Sequence, residues 1–116
     1  MELDQLPIVD WKLGIKLAGG KKDLAQDLLT MFVPSLPNEI SDFHQLYSAQ
    51  KYKELLQRVH KIHGALAYLG LPRLKTLIAR IESELKSNIM SNLPSHLIQL
   101  DAEINLVLEH FSDPSS

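Results

Sequence analysis

Val59-His60-Lys61-Ile62-His63-Gly64-Ala65-Leu66-Ala67-Tyr68-Leu69-Gly70 decides how this chain is read. Together with Tyr52 and Leu55 upstream, its apolar residues recur at helical spacing. On a wheel of about 100° per residue with His60 at zero, Tyr52, Leu55, Val59, Ile62, Leu66 and Leu69 share an arc from roughly 180° to 280°. That is the buried stripe of an amphipathic helix. Two residues depart from an ordinary one. Gly64 stands in the helix interior, where glycine costs about 1 kcal/mol relative to alanine. His60 lies about 130° from the centre of the apolar arc, so it is expected to face solvent.

Working outward, this helix should run to about Leu69, with Gly70 ending it and Pro72 in the first turn of the next. So short a connection makes antiparallel neighbours. The following helix, Pro72 to Lys86, carries Leu74, Leu77, Ile78, Ile81 and Leu85 on one face. After a polar loop, the last helix starts at Asn92 or Leu93 and presents Leu97, Leu100, Ile104, Val107, Leu108 and Phe111. Upstream, Leu24, Leu28, Met31, Phe32, Leu36, Ile40, Phe43, Leu46 and Tyr47 keep a 3–4 spacing through Pro34 and Pro37. This predicts one long helix kinked around Val33–Asn38, with two collinear helices as the alternative. A short first helix runs from an Asp10 N-cap to Ala18 and is stopped by Gly19-Gly20, with Trp11 expected to lid one end of the core. No sustained two-residue alternation competes. The expected fold is all-α, an antiparallel up-and-down four-helix bundle with a short extra N-terminal helix. Residues 1–9 form a lead, 10–111 the bundle and 112–116 a disordered tail.

Composition narrows the function. The 116 residues suit one domain, and a net charge of −2 with acids and bases mixed offers no basic field for nucleic acid. The absence of cysteine excludes disulfides, thiolate metal sites and a cysteine nucleophile, and it fits a reducing compartment. The apolar runs fall far short of the ~20 residues that span a bilayer, and the acidic N-terminus is no signal peptide. A soluble, cytoplasmic domain is expected, with no direct membrane contact.

Around His60 the wheel gathers Leu56, Gln57, Lys53, Gly64 and Ala67, with His63 between His60 and the core. Helix side chains lean toward the N-terminus, so Gly64 clears the approach to the ring rather than touching it. A neutral imidazole is a good nucleophile near pH 7, and attack on an aspartyl phosphate would make a phosphohistidine. Lys61 and His63 are placed to neutralise phosphoryl oxygens. Three readings of these residues stay open: a phosphoryl carrier, a helical adaptor without chemistry, and a metal site at His60 and His63, for which no carboxylate is evident on the same face. His96 and His110 read as solvated positions.

His60-Lys61-x-His63-Gly64 followed by Tyr68-x-Gly70-x-Pro72-Arg73 resembles the phosphoacceptor segment of histidine-containing phosphotransfer (HPt) domains, in particular those at the C-terminus of BarA-type hybrid sensor kinases. The likeness extends to Asp10-Trp11, Gly20-Lys21 and Leu36-Pro37-x-Glu39, covering roughly residues 10–110. It implies a bundle that relays phosphoryl groups between the receiver domains of a hybrid kinase and a response regulator, with His60 phosphorylated at Nε2. Gly64 would then admit the docking receiver, with Leu56, Gln57, Ala67, Lys61 and His63 supporting the phosphoryl group or the partner. Many members carry lysine where His63 stands. The resemblance further implies no ATP site and no cofactor, Mg²⁺ belonging to the receiver, and either a free-standing protein or the cytosolic domain of an inner-membrane kinase. The domain should be a monomer, since one apolar stripe per helix is satisfied within the bundle.

Overall fold

The structure, a computed structural model, describes residues 3–112. Its helices are α1 (Trp11–Leu17), α2 (Lys22–Phe32), α3 (Leu36–Ser48), α4 (Tyr52–Leu66), α5 (Pro72–Lys86) and α6 (Leu93–Ser112). The fold is all-α, with no strand among the described residues. In the bundle α3 packs on α4, α4 on α5 and α5 on α6, and α6 closes back onto α3. The apolar stripes read from the sequence meet inside it: Phe43, Leu55, Val59, Leu77, Ile81 and Leu100 are all essentially inaccessible to water.

α2 and α3 are joined by a single 3₁₀ turn, Val33–Ser35, with helical dihedrals on both sides, so the chain passes both prolines as two α-helices around a 3₁₀ turn. Pro37 has no N–H to give the Val33 carbonyl. The Leu36 N–H bonds it instead, which tightens the turn. The stripe expected for α2 holds only in part, with Leu28 and Phe32 packed half-buried against the core. Ala25, Leu29 and Val33 point into the core, whereas Leu24 and Met31 are exposed and Leu28 is half-buried. Periodicity locates an apolar face but does not say what covers it, and α2 has apolar residues on two.

α1 begins as expected: the Asp10 carboxylate accepts from the Leu13 N–H at 2.9 Å. It ends at Gly19 and Gly20, both at positive φ, with the Gly20 N–H returning to the Ile15 carbonyl. Trp11 is not a lid. It stays 38% exposed and meets Phe111 edge-on at 6.2 Å. α4 stops at Leu66 rather than Leu69, because Ala67, Tyr68 and Leu69 bond back three residues rather than four. Gly70 does not end the helix through a left-handed backbone. Its N–H side packs against Gly14, its carbonyl accepts from the Asp10 N–H, and an added Cβ would sit 2.1 Å from the Asp10 carbonyl oxygen. Here glycine is needed for close approach, and that contact seats α1 over the start of α5.

Residues 3–5 form a 3₁₀ turn with Leu3 buried, so part of the lead is packed against α5. Ser112 closes α6, and residues 113–116, the rest of the expected tail, lie outside the described residues. No described helix is long and apolar enough to cross a membrane.

Candidate functional site: His60 above a buried carboxylate

α4 buries Leu55, Val59, Ile62 and Leu66, which turns His60 outward with 71% of its side chain exposed. Gly64 lies one turn further on, and a Cβ built there would meet nothing within 4 Å. The bundle does not require this glycine, so its helix cost has no compensation inside the fold. Gln57, Lys61 and Ala67 are exposed as expected. Leu56 is instead half-buried and packs against the core. Gln57 and Lys61 line a shallow polar groove with Glu39, Glu54 and Arg58, and Arg58 is bridged to Asp42 of α3.

The residue that sequence reasoning missed is Glu82 of α5. It is only 4% exposed, yet its two carboxylate oxygens serve three cations or potential cations. Oε2 lies 2.6 Å from His60 Nδ1 and 3.4 Å from Lys86 Nζ, and Oε1 lies 2.5 Å from His63 Nδ1. Burial by itself would push the Glu82 carboxyl up, and this is the largest single influence. The hydrogen bonds from His60, His63 and Lys86, with the Lys86 charge, together outweigh it and hold the group below the ordinary carboxylate value. An ionised carboxylate only accepts, so both imidazoles carry hydrogen on Nδ1. Their Nε2 atoms are the free ones. The chemistry this allows at His60 is specific: an Nε2 lone pair directed to solvent, and an imidazolium-like charge, as it develops, held against a buried anion.

A carboxylate was expected to be missing from this face, and within α4 it is. It arrives from the neighbouring helix. Its signal was a charged residue at the edge of an apolar stripe, Ile78-x-x-Ile81-Glu82-x-x-Leu85, which demands a partner once buried. Among the described residues no group of three or more His, Cys, Asp or Glu side chains could hold a metal. His96 is not solvated as expected, since its Nδ1 pairs with Glu84 at 2.6 Å; His110 is exposed.

Exposed residues of α2 form part of a further surface. Leu17, Leu24, Leu28, Met31, Phe32 and Tyr68 line an apolar groove of about 530 Å³ that runs onto α4 at Ala65. Met31 is 77% and Tyr68 64% exposed, an unusual display of large apolar groups.

Comparison with known proteins identifies relatives of this chain. The chain is 33% identical over 105 residues, 90% of its length, to the signal transduction histidine-protein kinase BarA of Shigella flexneri. It is also 33% identical over 106 residues, 86% of its length, to the sensor protein GacS of Pseudomonas syringae pv. syringae. It spans only 11–12% of those relatives. The crystal structure of the HPT domain of a sensor hybrid histidine kinase from Shewanella superposes with a TM-score of 0.68 at 28% identity, covering 96% of this chain and 99% of that one. Residues 27–110 match the Hpt domain family, and no kinase domain is found in the chain. With His60 and Glu82 both inside that match, which takes in most of the bundle, the chain belongs to the Hpt domain family.

Proposed function

We propose that this domain is a phosphorelay intermediate that accepts a phosphoryl group on His60 from a receiver-domain aspartate and passes it to the aspartate of a second receiver. The observation that carries the reading is His60 itself, exposed at Nε2 and tied at Nδ1 to a buried, ionised Glu82. In the uptake step the Nε2 lone pair attacks phosphorus, the N–P bond forms, and the P–O bond to the aspartate breaks with its electron pair leaving on that carboxylate. The Nδ1 hydrogen stays in place, and Glu82 offsets the positive charge the ring acquires. The reverse sequence hands the group to the next aspartate, with Mg²⁺ held by the receiver. Lys61, on the exposed side of α4, supplies a cation for the phosphoryl oxygens.

The receiver would dock over Gly64 and Ala67 and onto the apolar groove between α2 and α4. A modest apolar patch suits an encounter that must end in release. The groove alone would serve an adaptor equally well. The buried carboxylate beneath an exposed imidazole is what an adaptor has no use for.

The test is incubation with a phosphorylated receiver and mapping of the modified residue. Wild-type protein should take up an acid-labile, base-stable label on His60, and His60→Gln should fold normally and take up none. Undiminished labelling of His60→Gln would sink the assignment, and a folded wild type that binds receivers but is never labelled would favour the adaptor.

A further inference from the structure

Glu82 has one negative charge and two imidazoles to divide it between. His63 Nδ1 holds Oε1 at 2.5 Å and His60 Nδ1 holds Oε2 at 2.6 Å, so neither ring has the carboxylate to itself. The remaining charged partner is Lys86 of the same helix, 3.4 Å from Oε2. On its other side His63 borders a groove that carries Lys75 and Arg80 of α5. His63 is the less exposed ring, with 32% of its side chain accessible, and its Nδ1 points at Glu82 rather than out toward an incoming phosphoryl group. An NH donor on one oxygen of a carboxylate draws charge from the other.

We infer that His63 is a positioning residue that acts on His60 through Glu82: by donating to Oε1 it fixes the carboxylate and limits how strongly Oε2 stabilises the imidazolium form of His60. The inference rests on His60 being the phosphoacceptor. It assigns His63 a role distinct from direct contact with phosphoryl oxygens. Without the His63 donor, more of the Glu82 charge falls on His60. The ring then keeps its Nε2 proton to higher pH, where no lone pair is available for attack. With the donor present, the carboxylate is shared between the two rings and His60 Nδ1 remains oriented.

The experiment compares His63→Phe, His63→Gln, Glu82→Gln and the His63→Phe/Glu82→Gln double variant with wild type, after circular dichroism has shown that each is folded. Phosphoryl uptake from a phosphorylated receiver is followed against pH. In His63→Phe the acid limb of the profile should move up by about half a pH unit, a roughly threefold loss of rate near the limb with the high-pH plateau retained. His63→Gln, whose amide can still donate to Oε1, should restore the limb toward wild type. In the Glu82→Gln background His63→Phe should move it no further. A limb that does not move in His63→Phe overturns the inference. So does a shift of equal size with and without Glu82, which would mean that His63 acts on the phosphoryl group directly.

Nitrogen-15 spectra of the unphosphorylated variants read the same coupling without any transfer, as the pH at which His60 Nε2 gains its proton. A shift there on going from wild type to His63→Phe, together with wild-type protein that accepts no phosphoryl group, would leave the coupling standing and overturn the relay reading alone.

Discussion

Two carboxylates are buried in this bundle to the same degree, and they do opposite things. Glu103 of α6 and Glu82 of α5 are each 4% exposed. Among the described residues Glu103 meets one partner, Arg73 of α5, at 2.5 Å, and the pair is largely enclosed, Arg73 having 16% of its side chain accessible. Among the described residues, Glu103 Oε2 and Arg73 Nε have no protein hydrogen-bond partner. Glu82 has both oxygens occupied, and its partner His60 opens to solvent. A buried ion pair in the first arrangement is a staple between α5 and α6. In the second the protein's inner charge is carried to its surface through an imidazole. Burial of a charge therefore does not mark a functional site. What marks it is whether the charge terminates inside or is relayed to an exposed reactive atom.

The largest effect expected from this contrast is on the staple. Glu103→Ala leaves the Arg73 guanidinium enclosed and unpaired, and should cost about 3 kcal/mol in urea unfolding. Adding Arg73→Met to that variant should recover most of the loss, since two apolar side chains tolerate the site better than one stranded charge. Phosphoryl uptake per folded molecule should be unchanged in both. A Glu103 variant that stays folded but takes up the group more slowly would erase the distinction between the two carboxylates.

A smaller effect separates them by pH. The folded-state value of Glu82 lies below its ordinary 4.5, so its contribution to stability is complete above about pH 4.5 and is lost as the pH falls through the depressed folded value. Glu82→Gln should cost about 1–3 kcal/mol near neutrality, where a buried network loses its charged acceptor. That cost should shrink toward zero in acid as wild-type Glu82 becomes protonated. Unfolding midpoints of the two proteins measured from pH 7 downward check the sign. A gap that widens in acid would mean that the carboxylate is held neutral in the native state, and the account of the His60 tautomer would go with it.

Much of this was legible in advance because helical periodicity is local. The α4 stripe of Leu55, Val59, Ile62 and Leu66 fixed His60 as outward-facing from spacing alone, and the structure places it there. Pro34 and Pro37 could be read as a local interruption because the apolar phase continues through them, and a 3₁₀ turn stands there. Failures came where the answer lies in another element. Glu82 sits at the edge of the α5 stripe, and only the packing of α5 against α4 brings it beneath His60 and His63. Leu24 and Met31 have the same residue types and spacing as a core face, but α2 meets nothing on that side. His96 looked solvated because its partner Glu84 is on α5.

The smallest expected effect concerns two glycines rather than two carboxylates, and it extends the same contrast between what holds the fold and what serves the surface. Gly70 is enclosed, with an added Cβ only 2.1 Å from the Asp10 carbonyl oxygen, so alanine there must push α1 away. Gly64 faces open space in a helical stretch, so nothing in the domain opposes a side chain. Gly64→Ala should therefore raise stability, by somewhat less than about 1 kcal/mol because the position is close to the end of α4. A native glycine that weakens its own helix, next to the exposed imidazole, is consistent with a surface shaped for something outside the domain. Gly64→Gln should keep most of the stability gain and slow phosphoryl uptake, while leaving the Glu82 hydrogen bonds seen by nitrogen-15 spectra untouched. If Gly64→Ala instead destabilises the isolated domain, the glycine belongs to the fold, and the open approach to His60 loses its explanation.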